Sequence, residues 1–234
     1  MKAFLLAAGF GTRLRPLTET TPKCLIPIQG KPLMEWWLQL FLEHGVTEVL
    51  VNTHYLADQV RDFLNNWNSG NHGLTITEYY EESLLGSGGT VAANRDFVAD
   101  DEDFLICYAD NLTDVNLTAF QEFHQTHDGI LSMALFHTNR PCECGIAALD
   151  KSRCIIEFEE KPAHPKSNLA NAGLYIARKR LFDYLPQHTK LLDFGKDVLP
   201  RLVGNMYGWQ TEGYLLDIGT MENYKKANKE WQHQ

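Results

Sequence analysis

The chain has 234 residues, 44% of them apolar and 22% charged, which is enough for a large core and unlike a disordered or fibrous chain. Lys and Arg number 21 against 30 Asp and Glu, so the net charge of −9 has the wrong sign for a general binder of nucleic acid or of an anionic membrane. The first 31 residues depart from that balance. There Lys2, Arg13, Arg15, Lys23 and Lys31 face a single acid, Glu19, for a local net of +4, and such a patch suits a small anionic ligand. The five cysteines (Cys24, Cys107, Cys142, Cys144, Cys154) contain no CxxC pair and read as reduced, buried thiols of a cytoplasmic protein, with no metal role expected for Cys142 and Cys144. The apolar start at 3–8 runs straight into Gly-Phe-Gly-Thr-Arg, so it reads as a buried strand rather than a signal segment. No stretch approaches the length of a membrane span, and neither a membrane nor a nucleic-acid partner is expected.

In chain order, 2–8 is a continuous apolar run of strand length. Residues 32–44 carry a broad apolar face (Leu33, Trp37, Leu40, Phe41) opened by Pro32 and closed by Gly45, which predicts a helix. A Val/Leu strand at 48–52 is followed by helical spacing over 57–67 through Val60, Phe63, Leu64 and Trp67. Residues 74–80 alternate as a strand, 90–97 fit a helix, and 104–108 form a buried strand ending at Ala109-Asp110-Asn111. Beyond it the pattern predicts strands at 130–137, 145–149, 155–158 and 174–177, then helices at 179–185, 194–203 and 221–231. Short apolar strands separated by helices imply an α/β protein with a mostly parallel sheet covered on both faces. No repeat or linker divides the chain, so one domain spanning 1–234 is expected, with 162–168 as a functional loop.

The strongest local signal is Leu6-Ala-Ala-Gly-Phe-Gly-Thr-Arg-Leu-Arg-Pro-Leu-Thr18, followed by Thr21-Pro-Lys-Cys-Leu-Ile-Pro-Ile28. Gly9 and Gly11 at a strand end let backbone N–H groups turn toward a phosphate; Thr12 adds a hydroxyl, and Arg13 and Lys23 add charge. The same residues also suit an ordinary strand-to-helix turn with solvated cations. A dinucleotide fingerprint is excluded, because Leu14 stands where a third glycine or alanine is needed and Asn52 where the second strand wants an acid. A Walker loop is excluded by the absence of Gly-Lys-Ser/Thr.

With the glycine loop, Arg13, Pro16 and Pro22-Lys23 together, the sequence closely resembles the sugar-1-phosphate nucleotidylyltransferases, the NDP-sugar pyrophosphorylases, through most of its length. The resemblance implies a Rossmann-like three-layer αβα sandwich with a mixed, mostly parallel central sheet. Its nucleotide-binding half would be about 1–115 and its sugar-phosphate half about 116–234. Gly9, Gly11 and Thr12 would hold a nucleoside triphosphate, Arg13 would face the departing pyrophosphate, and Lys23 would bridge the α-phosphate and the attacking sugar phosphate. That attacking oxygen belongs to a phosphate monoester with a second pKa of roughly 6, so it is already anionic and needs no general base. Such a site must align two polyanions and cancel their repulsion.

Asp110 and Asp217 each follow a short apolar run, where two carboxylates plus phosphate oxygens make a Mg²⁺ (or Mn²⁺) site; read without the family, they also suit a helix cap and a turn. The resemblance implies that both are metal ligands, although Ala109 replaces the more usual glycine before the first. It also implies that Glu160 accepts hydrogen bonds from sugar hydroxyls, that Lys161 binds the sugar's phosphate, and that Gly145, Asn171 and Asn111 line the acceptor side. The base would lie against the backbone of Leu6, Ala7 and Ala8, with Glu82 and Gly86, although the Gly86–Gly89 cluster also suits a plain helix start. Compact relatives point to GTP with mannose or a related hexose or heptose 1-phosphate. Uridylyl or thymidylyl transfer to glucose 1-phosphate, cytidylyl transfer to a non-sugar phosphate and a non-catalytic nucleotide-sugar sensor are the alternatives. The chain ends soon after the last expected helix, so an appended acyltransferase β-helix is not expected. His54, His72, His124 and His127 are scattered and given no chemical role; Trp36 and Trp37 are expected in a core or an interface, and a homo-oligomer stays open.

Overall fold

The computed structural model describes residues 1–70, 72–185 and 191–232. In chain order it begins with β1 (Lys2–Leu6), the hairpin strands β2 (Pro27–Ile28) and β3 (Lys31–Pro32), α1 (Leu33–Glu43), β4 (Glu48–Thr53), α2 (Ala57–Ser69) and β5 (Thr75–Tyr80). It continues through α3 (Ser87–Ala93), β6 (Asp103–Tyr108), β7 (Asn111–Thr113), α4 (Leu117–His124), β8 (Leu131–His137), β9 (Gly145–Leu149), β10 (Ile155–Glu160) and β11 (Leu169–Arg178). It closes with β12 (Met206–Gln210), β13 (Leu215–Asp217) and α5 (Met221–Glu230). No helix among the described residues is long and apolar enough to cross a membrane.

The chain packs as two compact units that do not follow the halves 1–115 and 116–234. The first comprises Met1–Leu84, Cys107–Val115 and Gly213–Gln234; the second comprises Leu85–Ile106 and Asn116–Glu212. The reason the C-terminal segment joins the first unit is a short antiparallel ladder between β13 and β7, in which Asp217 lies opposite Asn111.

In the first unit, β4 lies parallel between β1 and β5, with Leu6 opposite Asn52 and Asn52 opposite Tyr79. Ala3, Phe4 and Leu5 of β1 are fully buried, as a strand covered on both faces requires. Helix α1 buries Trp36 and Trp37, and the Trp36 ring meets Trp231 edge-on at 5.6 Å, so both of these tryptophans are core residues of this unit. The Trp37 indole N–H donates to the Asn111 carbonyl at 2.7 Å, which ties α1 to β7. Thr220 caps α5 by accepting from the Asn223 N–H.

In the second unit, β8 pairs antiparallel with β11 and parallel with β12, while β9 pairs antiparallel with β10. The strand expected at 174–177 belongs to a ten-residue strand, because Leu169–Asn171 as well as Tyr175–Ala177 pair with β8, with the small residues Ala172 and Gly173 buried between them. A register shift at Gly173 (φ +67°) accommodates them. The helices expected at 179–185 and 194–203 are instead short turns: 3₁₀ over Lys179–Tyr184, a π-turn over Phe194–Val198 and 3₁₀ over Leu199–Leu202, where Pro200 cannot extend an α-helix. Residues 186–190, between those two segments, lie outside the described residues. Helix α4 is not announced by the sequence because eight residues make only about two turns, too few for a helical period to stand out; Asn116 caps it by accepting from the Ala119 N–H at 2.9 Å.

Candidate active site

After β1 the chain turns at Gly9-Phe10-Gly11. Gly11 is left-handed (φ +62°), and a Cβ there would lie 2.8 Å from the Thr18 methyl, so both the conformation and the space call for glycine. The Thr18 hydroxyl donates to the Gly11 carbonyl at 2.7 Å and the Leu14 N–H donates to it at 2.9 Å, which shapes the 3₁₀ turn Thr12–Leu14. Leu14 and Thr18 are buried, whereas Gly9, Phe10, Thr12, Arg13 and Arg15 are exposed. The loop therefore holds on from within and presents its polar residues outward.

Four charges meet beside it. Lys23, on the turn Lys23–Leu25, is buried and places Nζ 2.6 Å from Asp110 Oδ2 and 3.5 Å from Asp217 Oδ1. Arg13 Nη2 lies 3.9 Å from Asp217 Oδ2. The β7–β13 ladder creates this arrangement: Asp217 stands opposite Asn111, and the Ile218 N–H donates to the Asp110 carbonyl at 2.8 Å. Although 48% of the Asp217 side chain is exposed, the protein atoms around it desolvate the carboxylate, and the adjacent Asp110 charge repels it. Together they raise its pKa above the usual value against the opposing pull of Lys23 and Arg13. Gly219 permits the close approach, since a Cβ there would lie 2.8 Å from both Arg13 Nη2 and the Asp217 carboxylate.

At the end of β1 the Ala7 N–H donates to Asn52 Oδ1 at 2.6 Å, and Asn52 Nδ2 donates to Glu81 Oε1 at 2.9 Å. Buried Glu81 is thus the acid joined to this segment, while Glu82 is exposed. Alternation around β5 does not point to it, because the buried positions there, Leu74 and Ile76, are even-numbered and Glu81 falls on the other parity, just past the strand's end. Gly86 (φ +79°) caps α3, and its neighbours Gly88 and Gly89 both donate their N–H groups to the Leu192 carbonyl. The glycine cluster is here a helix start already furnished with an acceptor.

In the second unit the β9–β10 ladder sets Glu160 opposite Gly145. A Cβ at Gly145 would stand 2.6 Å from Glu160 Oε2 and 2.7 Å from the Phe158 ring, so this glycine makes room for the carboxylate. Burial, reinforced by the Asp193 charge, raises the Glu160 pKa above its usual value despite Lys161 and Lys196. Lys161 is exposed, with φ +52°, and its N–H donates to the Cys144 carbonyl. Asn171 spends both ends of its amide on its own strand, accepting from Gly173 N–H and donating to the Tyr175 hydroxyl.

The fold is shared with known proteins. A Bacillus anthracis protein provisionally described as a glucose-1-phosphate thymidylyltransferase, solved with sucrose, superposes with a TM-score of 0.88 at 24% identity over 100% of this chain and 97% of its own. HddC from Yersinia pseudotuberculosis superposes at 0.80 with 26% identity over 99% of each chain. This is the Rossmann-like α/β fold with a mixed, mostly parallel central sheet. A family profile described as Nucleotidyl transferase matches residues 2–234, and the chain belongs to that family. A UTP–glucose-1-phosphate uridylyltransferase of Synechocystis is 32% identical over 97% of this chain and 62% of its own length. Mannose-1-phosphate guanylyltransferase 1 of Arabidopsis thaliana is 30% identical over 96% and 63%. The chain thus spans less than two thirds of these relatives.

Proposed function

We propose that the protein transfers a nucleotidyl group from a nucleoside triphosphate to a sugar 1-phosphate, releasing pyrophosphate and an NDP-sugar. The observation that supports this most is the cluster of Arg13, Lys23, Asp110 and Asp217 beside a left-handed glycine turn, within one unit. Both substrates are polyanions and the nucleophile needs no base, so the protein must supply alignment and positive charge rather than proton transfer. Gly9, Gly11 and Thr12 present the loop to the triphosphate, Arg13 neutralises the leaving pyrophosphate, and Lys23 holds the α-phosphate. In the free protein the Lys23 ammonium is kept in place by Asp110, so its position is set before substrate arrives.

Two carboxylates held side by side, one with a raised pKa, fit a hard divalent cation that takes its other ligands from phosphate oxygens and water. Asp110 and Asp217 would hold Mg²⁺ or Mn²⁺, and the ion would neutralise charge on the phosphates. Leu6, Ala7, Ala8 and Glu82 are assigned to the base side, with Gly86 as a backbone contact. Asn111, Gly145, Glu160, Lys161 and Asn171 are assigned to the acceptor. GTP with mannose 1-phosphate or a related hexose or heptose 1-phosphate is the pairing we favour. The free cysteines support a reducing, cytoplasmic setting. The test is pyrophosphate release on mixing each nucleoside triphosphate with each sugar 1-phosphate in Mg²⁺. A productive pair supports the reading, and binding of triphosphate without release from any pair contradicts it.

A further inference from the structure

We infer that Tyr55 and Thr18 are positioning residues that set the glycine turn from the far side of the loop, an inference that rests on the reading of that turn as the triphosphate site. The connection is continuous. The Tyr55 hydroxyl donates to the Thr18 carbonyl at 2.9 Å, and the Thr18 hydroxyl in turn donates to the Gly11 carbonyl at 2.7 Å. Thr18 is 1% exposed, and its methyl stands 2.8 Å from where a Cβ on Gly11 would be, so this side chain shapes the left-handed turn by both contact and hydrogen bond. Two further contacts join the same segments. Gln59 Nε2 donates to the Thr20 carbonyl at 2.9 Å, and the Phe10 ring, 45% exposed between the two glycines, rests against His54 at 5.4 Å and Tyr55 at 5.6 Å.

The donor side of this strut is itself unusual. Leu56, which follows Tyr55 and opens α2, has φ +51°, a conformation that a leucine side chain disfavours. The turn through Leu56 brings the Tyr55 hydroxyl, just ahead of α2, and the Gln59 amide, in the helix's first turn, to two carbonyls of the same loop. The loop needs this outside support because its own buried anchors are few, and most of its side chains face outward. A phosphate-binding turn whose N–H directions are set in advance binds more tightly than one that must be ordered by its ligand.

The test compares Tyr55→Phe, Thr18→Val, Thr18→Ser and the double variant Tyr55→Phe/Thr18→Val. The readouts are KM for nucleoside triphosphate, KM for sugar 1-phosphate, kcat and Tm, using whichever of GTP, UTP, dTTP, CTP and ATP the wild type turns over. Each of Tyr55→Phe and Thr18→Val should raise the triphosphate KM roughly fivefold, the effect of losing one hydrogen bond, with the sugar-phosphate KM unchanged. The double variant should be little worse than the worse single one, because both act through one strut, and Thr18→Ser should stay near wild type. A lowered Tm with an unchanged triphosphate KM would overturn the inference and leave the residues merely structural, as would fully additive effects. A wild type that neither binds nor turns over any of the five triphosphates would overturn the underlying reading, and this inference with it.

Discussion

Lys23 is buried beside two carboxylates, and among the described residues its ammonium is the one cation paired with both acids. Lys23→Met should lower turnover by about 10²–10³-fold, the range seen for loss of a preorganised charged donor, and pyrophosphate release measures it. Glu160 allows a test of pH dependence. Its folded-state pKa is raised, so folding takes up a proton between the ordinary glutamate value and the raised one. Stability from this residue is therefore complete at low pH and declines as pH rises through the raised pKa. Urea midpoints should show Glu160→Gln at least as stable as wild type at pH 7, with the difference vanishing below about pH 4, where both side chains are neutral. The same variant should raise the sugar-phosphate KM. A Glu160→Gln protein that loses stability only at neutral pH would contradict the raised pKa.

Among the elements, the glycine turn tests whether conformation and space act together. Gly11→Ala must adopt a left-handed φ and push against Thr18, which should cost about 1–3 kcal/mol in chemical denaturation and raise the triphosphate KM. The early elements were legible in the sequence because each carries its own period and punctuation: β1 as an apolar run, α1 between Pro32 and Gly45, β4 and α2 by spacing. Asp110 and Asp217 were legible as strand-end acids and also as turn residues. What decides their meeting is the β7–β13 ladder, two three-residue strands about a hundred positions apart, and no local pattern announces a pairing of that range. Thr18 and Tyr55 were invisible as partners for the same reason, since a hydroxyl-to-carbonyl bond leaves no periodicity. The 3₁₀ and π-turns at 179–185 and 194–203 are not separable from helix in the sequence because their apolar spacing matches one; in the second segment Pro200 breaks it.

For the whole molecule, the first unit is assembled from three separate stretches of chain, so its core must join them. Trp231 does this near the C-terminus, packing against Trp36 and Tyr214, and Trp231→Ala should cost about 3–5 kcal/mol in urea unfolding. The cysteines report on the same packing: Cys24, Cys107 and Cys154 are buried as expected, with the Cys24 thiol pushed up to about 12 by burial, whereas Cys142, on the surface turn Pro141–Glu143, is exposed and Cys144 is half-buried, contrary to the expectation for all five. A thiol reagent should therefore label native protein at Cys142 first and reach the three buried thiols only on unfolding. The central claim is that the charged cluster of the first unit carries out nucleotidyl transfer, and its most direct measurement is pyrophosphate release by wild type and Asp110→Asn over the full panel of triphosphates and sugar 1-phosphates. The account predicts at least one productive pair, with turnover abolished in a variant that keeps the wild-type circular dichroism spectrum. Full activity of Asp110→Asn at saturating Mg²⁺ would contradict it.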